Sequence, residues 1–122
     1  NLNDSGSGSL RDSIIKANNN TQSTEIIFDA NLFGTITLKS DLTPLKKSIT
    51  IQSQLVNGTP IITIDGVYKY KIFLIENTSN CKIDGLCIIN SICSGIKIKC
   101  SENVFVYNCW IGIDIFSNIS PN

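Results

Sequence analysis

The sequence predicts an all-β solenoid of stacked parallel coils, closed at its front by one amphipathic helix. Three features of the chain predict it. Phe73-Leu74-Ile75 followed by Asn80-Cys81-Lys82-Ile83-Asp84-Gly85-Leu86-Cys87-Ile88 recurs 23 residues later as Ile96-Lys97-Ile98 and Asn103-Val104-Phe105-Val106-Tyr107-Asn108-Cys109-Trp110-Ile111. Apolar positions 73, 75, 81, 83, 86 and 88 map onto 96, 98, 104, 106, 109 and 111, so the two copies share an inward face. The remaining residues after position 20 form short β-branched segments, and helical periodicity occurs only before it.

Taken in order, residues 3–8 (Asn-Asp-Ser-Gly-Ser-Gly) form a turn-rich lead-in. Ser9 is the expected N-cap of a helix over 10–17, with Asp12 completing an approximate capping box and Asn18-Asn19-Asn20 ending it. Leu10, Ile14 and Ala17 share one face with Ile15 alongside, while Arg11, Asp12 and Lys16 point elsewhere. Strands are expected at 25–28, 35–38, 48–51, 61–64, 72–75, 81–83, 86–89, 95–98 and 103–107, separated by Gly, Asn, Asp or Ser.

A sandwich has no reason to repeat at a fixed interval, whereas a solenoid does. One coil carrying three short strands closes a triangular turn, and the next stacks about 4.8 Å away by in-register parallel pairing. Gly85 aligns with Asn108, the two residue types that most readily adopt a left-handed backbone, so a tight corner is expected there; Gly66, in Ile64-Asp65-Gly66, is expected to repeat it. Such a stack exposes core and strand edges at both ends. Leu10, Arg11, Ile14 and Ala17 therefore read as a structural cap over the first coil. The division expected is a lead-in and capping helix over 1–20 and coils over 21–122.

The chain has 122 residues, with 10 Lys and Arg, 10 Asp and Glu and no His. A formal charge of zero offers no single-sign field for nucleic acid, and no apolar run approaches the roughly 20 residues needed to span a bilayer. Absence of Met and the opening Asn1 suggest a processed product or excised fragment. Five cysteines lie in the last third without a CxxC pair, and with no His the spacing gives no metal site; no cofactor is expected. Cys81 and Cys109 align with Val104 and Leu86 and read as small core residues, whereas Cys87 has the opposite parity and reads as the exposed thiol.

The opening pattern, residues 3–18, is similar to the form Asn-Asp-Ser-Gly-x-Gly-Ser-Leu-Arg-x-x-Ile-x-x-Ala-Asn. The likeness continues through Ile26-Ile27-Phe28-Asp29, Thr35-Ile36-Thr37-Leu38, Ile49-Thr50-Ile51, Thr63-Ile64-Asp65-Gly66 and Trp110-Ile111-Gly112-Ile113-Asp114. On these residues the chain resembles the right-handed parallel β-helix, or pectin-lyase-like, superfamily, especially its bacterial and viral surface-type members. It departs from them in Ile113, where Thr is usual, and in its cysteines. The resemblance implies a right-handed parallel β-helix, in agreement with the general hand of parallel crossovers.

Polysaccharide-cleaving relatives in that superfamily use clustered carboxylates, which directs attention to Asp65 and Asp84 as a possible carboxylate pair in adjacent coils. Both precede Gly, where Asp is ordinary turn chemistry. The outward aromatics Phe105, Tyr107 and Trp110, and Tyr68 and Tyr70 in Tyr68-Lys69-Tyr70-Lys71, are candidate sugar-stacking or protein-contact residues. Glu76 and Lys99 align as a surface pair, and Lys97 and Lys99 read as the solvated side of an alternating strand. Sequons at Asn3, Asn19, Asn57, Asn77 and Asn118 are unsurprising in a chain this rich in Asn and Ser.

Three functions fit these readings. One is a non-enzymatic structural or adhesive module of an extracellular, cell-surface or virion protein, binding glycans or protein partners through its side walls. Another is the N-terminal part of a polysaccharide lyase or hydrolase. The third is a trimeric spike-like module packed through the aromatic wall. In each case a protein partner or further coils are expected at the C-terminal end.

Overall fold

The computed structural model describes residues 1–114 and 119–122, so Asn118 of the last sequon lies outside the described residues. The chain forms a parallel β-solenoid of about four turns preceded by one helix. Helix α1 (Leu10–Asn18) starts at Ser9, whose Oγ accepts the Asp12 N–H and donates to the Gly6 carbonyl at 2.7 Å. Leu10, Ile14 and Ala17 are buried, while Ile15 turns outward and is 44% exposed. Asn18 fastens the other end of the helix: its amide donates to the Pro44 carbonyl and accepts the Lys46 N–H, at 2.8 and 2.9 Å.

Arg11 ties the lead-in to the first turn. Its guanidinium pairs with Asp4 at 2.8 Å and donates to the Asp4, Ser40 and Asp41 carbonyls. Partial burial on its own raises the Asp4 carboxyl, but the Lys39 backbone N–H and the Arg11 guanidinium outweigh it and hold the group below the usual carboxylate range.

Strands β1 (Thr24–Ile27), β3 (Ile49–Gln52), β8 (Lys82–Asp84) and β11 (Phe105–Tyr107) make one face of the solenoid, paired in that order and all parallel. A second face runs β2 (Gly34–Thr37), β6 (Ile62–Asp65), β9 (Leu86–Ile89) and β12 (Trp110–Ile111). The third face pairs β7 (Phe73–Glu76) with β10 (Ile96–Lys99), and Leu45 bridges to Ile75. Between the first two faces, β4 (Leu55–Val56) and β5 (Thr59–Pro60) form a small antiparallel hairpin around Asn57-Gly58, both at positive φ.

The 23-residue repeat becomes register. Phe73 pairs with Ile96, Ile75 with Ile98, Ile83 with Val106 and Ile88 with Ile111. Inside, Ile26, Ile51, Ile83 and Val106 stack along the first face and Ile36, Ile64, Ile88 and Ile111 along the second. β-branched side chains suit these ladders because each stacks on its own kind in the next turn.

Two expectations about single residues are corrected. Gly85 does take a left-handed corner, φ 79°, as does Asn108 at 53°, but Gly66 does not. Gly66 is small for a different reason: a Cβ there would meet the Asn90 and Tyr70 carbonyl oxygens at 2.7 and 2.8 Å, and the positive φ falls on Val67 and Tyr68. Cys87, expected to be exposed, is fully buried with its thiol on the Ile113 carbonyl at 3.3 Å. Parity put it outside the core correctly; residues following β12 cover it there.

Candidate ligand-binding wall

The first face of the solenoid presents two outward ladders near its C-terminal end. Parallel register aligns Glu25, Thr50, Lys82 and Phe105 in one, and Ile27, Gln52, Asp84 and Tyr107 in the other. Because Phe105 and Tyr107 are two residues apart on β11, the strand's alternation sends both to the same side. Their rings lie 6.0 Å apart and within 7° of parallel, and the residues are 47% and 48% exposed.

Polar groups border this platform. Lys82 Nζ stands 5.4 Å from the Tyr107 ring centroid and 3.5 Å from Asp84 Oδ2. Asn108, at the corner after β11, donates from its amide to Asp84 Oδ1 at 3.0 Å. The corner itself is fixed by the Gly85 N–H donating to the Tyr107 carbonyl at 3.0 Å. An exposed cation over an aromatic face is worth about 0.5–1 kcal/mol, enough to orient Lys82 without immobilising it. Flat apolar surface with ammonium, carboxylate and amide groups at its rim can receive the C–H face of a sugar ring, or an amphipathic protein side chain, and hydrogen-bond its edge.

The other aromatics do not join this pair. Trp110 lies on the second face, half-buried and in register with Cys87. Tyr68 is 61% exposed in the loop after β6, and Tyr70 packs partly against the core. Trp110 has the outward parity expected of it, but on a different face from Phe105 and Tyr107.

Asp65 and Asp84 are not stacked on one another. Asp65 is in register with Thr37 and Ile89 on the second face, while Asp84 is in register with Gln52 and Tyr107 on the first. Each instead clasps its own corner. Asp65 Oδ1 accepts the Val67 N–H at 2.8 Å and the Asn90 amide at 3.1 Å, matching the Asp84–Asn108 contact. Lys99 is in register with Glu76 as expected, but no ion pair joins them among the described residues. Nor do the described residues bring three or more His, Cys, Asp or Glu together to hold a metal.

A second feature is the open end. β10, β11 and β12 are the last strands of their faces, so each has one unpaired edge among the described residues. Ile98, Val106 and Ile111 point inward there yet are 48%, 39% and 45% exposed. No described helix is long and apolar enough to cross a membrane. No known family profile, curated protein or solved structure matches this chain.

Proposed function

We propose that this chain is a non-enzymatic β-solenoid module of an extracellular, cell-surface or virion structural protein, and that it holds a glycan or protein partner on the Phe105–Tyr107 wall. The observation that carries the reading is the exposed, parallel ring pair with Lys82, Asp84 and Asn108 at its rim. Two large aromatics side by side on a solvent-facing strand are poorly explained by folding, because neither contributes to the core. The pectin-lyase-like assignment is part of the same proposal and rests on the opening pattern of residues 3–18, with the solenoid and its helical cap in support.

The apolar open end supports a place within a longer stack, because a further coil would pair three strand edges and cover Ile98, Val106 and Ile111 together. The wall is tested by binding to an immobilised panel of neutral and acidic oligosaccharides, with Phe105→Ala and Tyr107→Ala alongside the parent. Retention that both substitutions weaken, with no change in the bound sugar, is the expected result. New reducing ends or unsaturated products would place the chain among polysaccharide-processing enzymes instead. Retention indifferent to both substitutions would remove the wall from consideration.

A further inference from the structure

The third face carries a feature of different chemistry from the aromatic wall. Ile96 and Ile98 face the interior of β10, so Lys97 and Lys99 face outward, and parallel pairing sets them beside Leu74 and Glu76 of β7. Lys71 stands two residues before Phe73 in the coil below, where Phe73 pairs with Ile96. These three lysines line one hollow of about 210 Å³, with Leu74, the outward partner of Lys97, as its apolar floor and Cys93 and Ser94 as a wall.

None of the lining residues is acidic, and none of the three ammonium groups makes an ion pair among the described residues. Two carboxylates stand near without lining the hollow: Asp41, whose Oδ1 accepts the Lys71 backbone N–H at 2.9 Å, and Glu76, opposite Lys99 in register. With equal numbers of cationic and anionic side chains overall, the chain has no general attraction for anions, so this concentration of positive charge is local. Lys97 and Lys99 come from one coil and Lys71 from the coil below, so an anion in the hollow meets lysine side chains from two successive coils.

We propose that Lys71, Lys97 and Lys99 form a binding site for an oxyanion group: a sulfate, phosphate or carboxylate. Ser94 lines the same hollow and carries a hydroxyl donor, and Leu74 offers apolar surface to the carbon body that carries such a group. The site lies on a different face from Phe105 and Tyr107 and does not depend on the function proposed for them.

Inorganic sulfate is the probe, and Cys93 is a built-in reporter. Alkylation of the intact chain by N-ethylmaleimide is followed by mass spectrometry in sulfate and in chloride of equal ionic strength. Cys100, exposed but outside the hollow, is the internal reference. Sulfate is expected to slow Cys93 by a factor of 1 + [sulfate]/Kd, reaching about fourfold at about three times Kd, and to leave Cys100 unchanged. Lys71→Gln with Lys97→Gln should abolish the protection, and Lys47→Gln, outside the hollow, should not. Phosphate and acetate in place of sulfate rank the three oxyanion types. Equal rates in sulfate and chloride, equal slowing at Cys100, or protection that survives the double substitution would each overturn the site. Calorimetric titration of the parent and the double variant, both first checked for unchanged thermal unfolding, gives the same answer without the thiol.

Discussion

Val106 pairs in register with Ile83 and points into the same ladder, yet it is 39% exposed where Ile83 is completely buried. The difference is position alone: one residue has a coil on both sides and the other on one. Ile83→Ala should therefore cost about 2–5 kcal/mol, while Val106→Ala should cost less than about 1 kcal/mol. Urea unfolding of the two variants decides it, and equal losses would mean that the last coil is covered.

Gly85 combines left-handed backbone with a crowded surrounding. A Cβ there would run into the carbonyl oxygen of Ser53, whose N–H is itself bonded to the Asp84 carbonyl. Gly85→Val should cost well over the roughly 1–2 kcal/mol of left-handed strain alone. Gly112, at φ 82° with nothing within 4 Å of an added Cβ among the described residues, supplies the control, since Gly112→Ala should cost only the conformational part. Thermal melts that place the two variants together would refute the steric half of this account.

The lowered carboxyl of Asp4 gives a pH dependence with a defined sign. A group depressed in the folded chain contributes fully above its ordinary value of 3.8 and loses that contribution as pH falls through the lower folded value. Asp4→Asn should destabilise by about 1.5–3 kcal/mol at neutral pH, through loss of charge-assisted bonds to Arg11 and Lys39. Its penalty should shrink as pH falls through the lowered folded value and the parent is protonated as well. A penalty that stays constant from neutral to acid would show that Asp4 acts by shape and not charge.

Thiol labelling should divide the five cysteines. Cys93 and Cys100 are exposed and should react first with a neutral maleimide under native conditions. Burial pushes the thiols of Cys81, Cys87 and Cys109 up, and the first two are also wholly enclosed, so they should react only as the chain opens. Rapid labelling of Cys87 would show that its cover by the segment after β12 is transient.

Stacked coils leave a plain mark in the sequence, because each inward residue must suit the one above it. For this reason the 23-residue repeat gave the register from Phe73 to Ile111, and the spacing of Leu10, Ile14 and Ala17 gave the capping face. Contacts between distant segments leave no such mark. The Asn18 clamp onto Pro44 and Lys46 joins positions without any shared pattern, and the covering of Cys87 depends on chain beyond its own strand. The Asn57-Gly58 hairpin does carry a local signal, since that dipeptide favours a tight two-residue turn as well as opening a sequon. In the candidate wall, Phe105 and Tyr107 were legible from alternation, whereas their bordering by Lys82, Asp84 and Asn108 needed the register of the preceding coil.

The β4–β5 hairpin leaves the solenoid after β3 and returns to it at β6, and the faces on either side keep their parallel pairing. Chain length and stack height are thereby uncoupled. Residues can be gained or lost sideways at a corner without changing how many storeys the tower has, so decoration can evolve at that point while the masonry stays in course.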